Sequence, residues 1–211
     1  MKEKVLTRKK TALRRLGLLM SVLGLSIGLA GYNFAPRMAV SEVADQEDMK
    51  YYKNFITSVP GDTLMKRNYL VETEEALLFS TVGWTPYGWM AYEWGKIEAW
   101  DDAPLHAGLM SKYTDKGNTH WLYGRVTARP DNLWFYYREE EGAQTSLTGV
   151  SVPGEDIFQG ENGSWYFLTQ IDDKRFDRER AGADGEFRLN AVKNDEKLAD
   201  VPVWRQSWHG R

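Results

Sequence analysis

The chain has 211 residues and no cysteine, which excludes disulfides, thiolate metal sites, lipoprotein acylation and cysteine nucleophiles. Seven of its 27 Lys and Arg, but one of its 30 Asp and Glu, fall within residues 1–15; the remainder carries 20 cations against 29 acids. That surplus disfavours nucleic acid as a partner, because such binding depends on Lys and Arg displacing phosphate counterions.

Residues 1–15 read as a basic leader, with Lys2, Lys4, Arg8, Lys9, Lys10, Arg14 and Arg15 against Glu3. Residues 16–34, LGLLMSVLGLSIGLAGYNF, hold no charge. As a helix this run would reach roughly 28 Å, close to the hydrocarbon thickness of a bilayer, and it predicts a single transmembrane helix of the signal-anchor type. Cations precede it, and Glu42, Asp45, Glu47 and Asp48 follow. This asymmetry places the N-terminus in the cytoplasm and the rest in the periplasm, with the inner membrane between. A cleaved secretory signal is the alternative, with small residues around Gly28-Leu29-Ala30 for processing. Gly17, Ser21, Gly24, Gly28 and Gly31 recur at steps of four, three, four and three, so a helix gathers them on one face. Such a seam permits close backbone approach in lipid and predicts a helix partner, either a second copy or another membrane protein.

Residues 35–46 read as a linker, and 47–57 as a short leading helix, with Met49, Tyr52, Phe55 and Ile56 at helical spacing and Pro60-Gly61 as its stop. Residues 47–211 then read as one exported β domain, with substance enough for a core. Strand signals occupy 64–72, 75–82, the aromatic stretch 87–100, 120–129, 133–139, 146–152, 156–160, 164–172 and 186–192. Gly95 is the expected bulge in 87–100. Pro130-Asp131 predicts a hairpin between the fourth and fifth of these, and Asn162-Gly163 a tighter one. Short strands at this spacing predict a mainly β fold, an antiparallel sandwich or barrel-like domain. Residues 201–211, with Trp204 and Trp208, are expected to pack back on the sheet or dock elsewhere.

Candidate sites follow. Trp84, Tyr87, Trp89, Tyr92, Trp94 and Trp100 lie within seventeen residues. Such rings fill β cores, form protein interfaces, or stack on apolar ligands and sugars. Strict alternation sets Trp89 opposite Tyr92 and Trp94. His106, His120 and His209 have no metal-ligand spacing, so no metal and no cofactor is expected. Asp101 and Asp102 near His106 offer an acid/base cluster, and also an ordinary turn. Asp172, Asp173, Asp177, Asp184 and Glu186 supply oxygen ligands without the register of a calcium loop. Asn162-Gly163-Ser164 matches a glycosylation acceptor, though a hairpin turn uses the same residues. Ser146 and Ser151 lack a catalytic context. The expectation is a membrane-anchored, non-enzymatic accessory or assembly subunit of an inner-membrane or periplasmic complex. Its partners are the bilayer and a membrane protein or second copy. The alternative is a periplasmic ligand-sensing or glycan-binding module.

Overall fold

A computed structural model describes residues 2–29, 33–49, 54–56, 59, 61–98, 103–114, 117–139, 149–172 and 185–209. Among these residues, three sheets and one packed helix stack in four layers. The first sheet runs β1 (Asn54–Ile56), β2 (Lys66–Glu72), β3 (Leu77–Thr85), β4 (Gly88–Ile97) as an antiparallel meander. The middle sheet has the order β13 (Trp204–His209), β5 (Leu105–Thr114), β6 (Gly117–Val126), β10 (Trp165–Ile171), β9 (Ile157–Gln159). The third is β12 (Glu196–Pro202), β11 (Gly185–Lys193), β7 (Asn132–Glu139), β8 (Val150–Ser151). Pairing is antiparallel except between β13 and β5.

The middle sheet is buried on both faces, and period-two alternation divides its side chains. Met110, Trp121, Tyr123, Tyr166 and Leu168 pack on Leu70, Phe79 and Ile97 of the first sheet. Leu105, Leu109, Leu122 and Phe167 pack on Leu133, Phe135 and Leu189 of the third. Each such large side chain contributes about 1.5–3 kcal/mol by leaving water. Mainly β, sandwich-like architecture is therefore as expected.

The helix layer differs from expectation. The short helix is α2 (Pro36–Gln46), within the segment read as a linker, whereas Asn54–Ile56 is a strand. Pro36 opens it, since its fixed φ suits a first turn. Ala39, Val40, Val43 and Ala44 then form a buried stripe on Val71, Leu78 and Val82. Small apolar residues at this spacing outweigh the looser pattern of 47–57. At its C-terminus the Lys96 ammonium donates to the Glu47 carbonyl at 2.8 Å, a favourable place for a cation.

The transmembrane helix is overturned. Helix α1 runs Lys2–Leu29, and among the described residues no helix is long and apolar enough to cross a membrane. Its N-terminal half is charged, so the uncharged helical part is residues 16–29, roughly 21 Å against a hydrocarbon core of about 30 Å. The end of the predicted span belongs instead to the β domain: Asn33 forms an antiparallel bridge with Trp89. The seventeen or more apolar residues that a span needs are thus cut short at their C-terminal side.

One of the two predicted hairpins also differs. Pro130-Asp131 turns no hairpin: β6 pairs with β5 and β10, while β7 pairs with β11 and β8, so the chain crosses between sheets there. Asn162-Gly163 does turn β9 into β10, with Gly163 at φ +81°. The β11–β12 hairpin turns on Asn194 and Asp195, both at positive φ, a pair whose short polar side chains tolerate that region.

Candidate functional surface

The aromatic stretch is sorted by a bulge that is not at Gly95. The β3–β4 register shifts between Thr81, opposite Glu93, and Val82, opposite Ala91, which leaves Tyr92 as the extra residue. One added residue reverses the alternation, so Trp89 and Trp94 share the face that packs on α2. The Trp94 indole N–H donates to Glu47 Oε1 at 3.0 Å, which locks that face to the helix end. Tyr92 lies over Gly83, where any side chain would collide with its ring. Gly95 serves another purpose: a Cβ there would stand 2.8 Å from the Tyr123 hydroxyl.

The rings therefore do not form one platform. Trp89 and Trp94 are half-buried, Trp84 and Tyr87 are 46% and 59% exposed at the hairpin tip, and Tyr92 is 40% exposed. Trp100 lies outside the described residues. Sequence reasoning missed Met90 beside them and Leu64 and Met65 next door, all exposed. The signal was present: apolar residues clustered on both parities of a strand end, where no single sheet face can bury them.

On α1, Leu16, Leu18, Leu19, Val22, Leu23 and Leu25 are all more than half exposed. The proposed seam is only partly open. A Cβ at Gly17 would meet nothing within 4 Å, but one at Gly24 would touch the Phe34 ring at 3.5 Å. Phe34 thus leans on the seam from within the same chain. The Ser21 hydroxyl donates to the Gly17 carbonyl at 2.9 Å, within the helix itself. Gly28 is helical, and Gly31 lies outside the described residues.

The buried charges join sheets. Glu93 accepts from the Trp121 indole at 3.0 Å and from Lys112 Nζ at 3.2 Å, while Lys66 sits 5.1 Å over the Trp121 ring. Glu72 accepts from the Tyr166 hydroxyl at 2.7 Å and from Asn162 Nδ2 at 2.8 Å, with Arg125 at 3.2 Å. Burial pushes the Tyr166 phenol well above its ordinary value; the Glu72 carboxylate adds to this, and Asn162 opposes it. Burial, with the Glu47 charge behind it, does the same to Tyr123. In the third sheet burial alone would raise the Asp200 carboxyl, but bonds from Arg188, Lys197 and Tyr136 together hold it below its ordinary value.

The remaining candidates resolve individually. His120 is fully buried, its Nδ1 2.9 Å from Ser111 Oγ, and His106 is buried on the neighbouring strand β5. Asp101, Asp102, Ser146, Asp173, Asp177 and Asp184 lie outside the described residues, as does the His209 side chain. Among the described residues no three acids or histidines are placed to hold a metal ion. Glu186 pairs with Arg188. The Asn162 side chain turns inward to Glu72 and Tyr166, and its Oδ1 accepts from the Ser164 amide at 3.1 Å. Ser151 donates to Asn132 Oδ1 at 3.0 Å. Both line a groove of about 470 Å³ with Arg129, Asp131 and Gly154. Its polar groups are committed to holding chain: Asp131 accepts from the Asn194 amide, and Arg129 covers Trp165 at 5.3 Å.

What stands open are apolar side chains in two places, Leu16 to Leu25 on α1 and the β3–β4 tip. No protein-family model, curated protein or solved structure matches the chain.

Proposed function

We propose that the protein is a non-enzymatic accessory or assembly subunit that works at the surface of the inner membrane. The observation that carries this reading is the exposed apolar half of α1. Six aliphatic side chains between Leu16 and Leu25 face water, at a cost that a free-standing protein does not ordinarily bear. Their placement directly after a cationic stretch suits a membrane surface, where cations meet anionic headgroups and apolar side chains enter the acyl boundary. The buried charges support a scaffold rather than a catalyst, because Glu72 and Glu93 are each held by partners from a second sheet. The glycan- or ligand-binding alternative has narrower support, since Trp84 and Tyr87 are exposed but Trp89 and Trp94 turn to α2.

The test is fractionation of the source cells followed by native electrophoresis in mild detergent. The full chain is expected in the membrane fraction, within a complex larger than itself. The variant Leu18→Ser, Leu19→Ser, Leu23→Ser is expected to leave that fraction and to lose the complex. A wild-type chain that stays wholly in the soluble extract as a free species overturns the reading.

A further inference from the structure

We infer that the tip of the β3–β4 hairpin is a second lipid anchor, seated in an anionic membrane surface beside α1. The inference deepens the membrane reading above and rests on it.

Asn33 and Trp89 exchange backbone hydrogen bonds of 3.0 and 2.6 Å. Four residue steps separate Leu29, the last of α1, from Asn33, so the apolar helix end lies within about 15 Å of β4 at Trp89. The apolar half of α1 and the hairpin tip are thereby tethered to one another. The tip presents Trp84, Tyr87, Met90 and Tyr92, each at least 40% exposed. Met65 joins them, because its carbonyl accepts from the Trp84 amide at 2.9 Å, and Leu64 beside it is 85% exposed.

The geometry favours lipid over a folded partner. Trp84 lies opposite Trp89 on the α2 face, whereas Met90 lies opposite Gly83 on the other, and Tyr92 crosses Gly83 there. A wedge that is apolar on both faces suits a medium that surrounds it. Trp and Tyr, with an apolar body and a polar edge, concentrate at the headgroup boundary. Charge complementarity names the lipid: seven cations and one acid in residues 1–15 select an anionic surface.

The experiment is flotation of the full chain with vesicles of phosphatidylcholine alone or mixed with phosphatidylglycerol, at low and at high salt. Brominated acyl chains serve as a tryptophan quencher. Wild type is expected to float with the anionic vesicles and to be quenched, and Trp84→Phe to lose a distinct part of the quenching. The tip variant Trp84→Ser, Tyr87→Ser, Met90→Ser changes exposed positions, so it is expected to keep wild-type thermal melting. Its partition should be weaker by about tenfold, a loss that persists at high salt. Wild-type flotation with unchanged partition of the tip variant and unchanged quenching in Trp84→Phe overturns the anchor while the membrane reading stands. Absence of wild-type flotation overturns both. A wild-type dimer without lipid, dissolved by the tip variant, assigns the surface to a second copy and also overturns the anchor.

Discussion

The Asn33 amide donates to the Trp89 carbonyl at 3.0 Å, and the Trp89 amide returns a bond to the Asn33 carbonyl at 2.6 Å. This single bridge fixes where α1 leaves the β domain. It also occupies two backbone groups on the outer edge of β4, an edge that would otherwise invite pairing with another chain. Asn33→Pro removes the backbone donor of the bridge and, with the side chain, the bond from Asn33 Nδ2 to Glu42 Oε2. It should cost about 1–2 kcal/mol and speed amide exchange at Trp89, measured by hydrogen exchange with mass spectrometry. Unchanged exchange at Trp89 would mean that the bridge contributes nothing to the α1 exit.

Glycine positions offer a matched pair of substitutions. A Cβ at Gly108 would lie 2.6 Å from Tyr123 Cζ and 2.9 Å from Ile97 Cγ1, between two sheets packed on each other. Gly108→Ala should therefore destabilise by about 1–3 kcal/mol through overpacking. A Cβ at Gly154 would meet nothing within 4 Å, and Gly154→Ala should stay within about 0.5 kcal/mol of wild type. Denaturant melts of the two variants check this; equal stabilities would refute the close approach at Tyr123.

Much of the β domain is legible in the residues, and the failures have physical causes. Strand β10, WYFLTQI, is a run of strand formers bounded by Asn162-Gly163, so both its existence and its hairpin follow from local chemistry. Strand β5, LHAGLMSKYT, was missed because a strand buried on both faces has no clean alternation, and Gly108 hides it further. β12 and β13 were missed as strands because each is an edge strand with little hydrophobic alternation in its residues. The crossover at Pro130-Asp131 is a tertiary choice: turn chemistry says that the chain bends, not which sheet receives it. The aromatic group was visible at once, but its division rests on the Tyr92 bulge, which no local signal announced. The membrane span failed because an uncharged run counts residues 30–34 as helix, whereas Asn33 is already paired to Trp89.

Tyr123 and Tyr166 are expected to limit stability at alkaline pH. Burial raises both phenols above their ordinary value of about 10. A raised folded value favours the protonated form in the fold. Stability is then fully present below about pH 10 and falls as rising pH ionises the unfolded chain first. The melting temperature should be flat through neutral pH and drop steeply above pH 10. Tyr166→Phe removes one ionisation and one bond to Glu72. It should melt lower at pH 7, by about 1–2 kcal/mol, yet decline less steeply above pH 10. Parallel alkaline declines for the two proteins would assign the limit to other groups.

Glu93 makes a sharper test of how the first two sheets are joined. It leaves β4 and receives Lys112 from β5 and the Trp121 indole from β6, with little access to water. Glu93→Ala would strand both donors, and a partly buried cation left without its anion should cost about 2–4 kcal/mol. Glu93→Gln keeps an acceptor for Trp121 and should cost less, because only the charge on Lys112 is then unanswered. Lys112→Met removes that charge but leaves Glu93 bound to the indole. If Glu93 and Lys112 act as a pair, the double variant Glu93→Gln, Lys112→Met should be more stable than the sum of the single losses by about 1–2 kcal/mol. Strict additivity in urea melts would mean that Glu93 holds the sheets through Trp121 alone, with Lys112 a bystander at the rim.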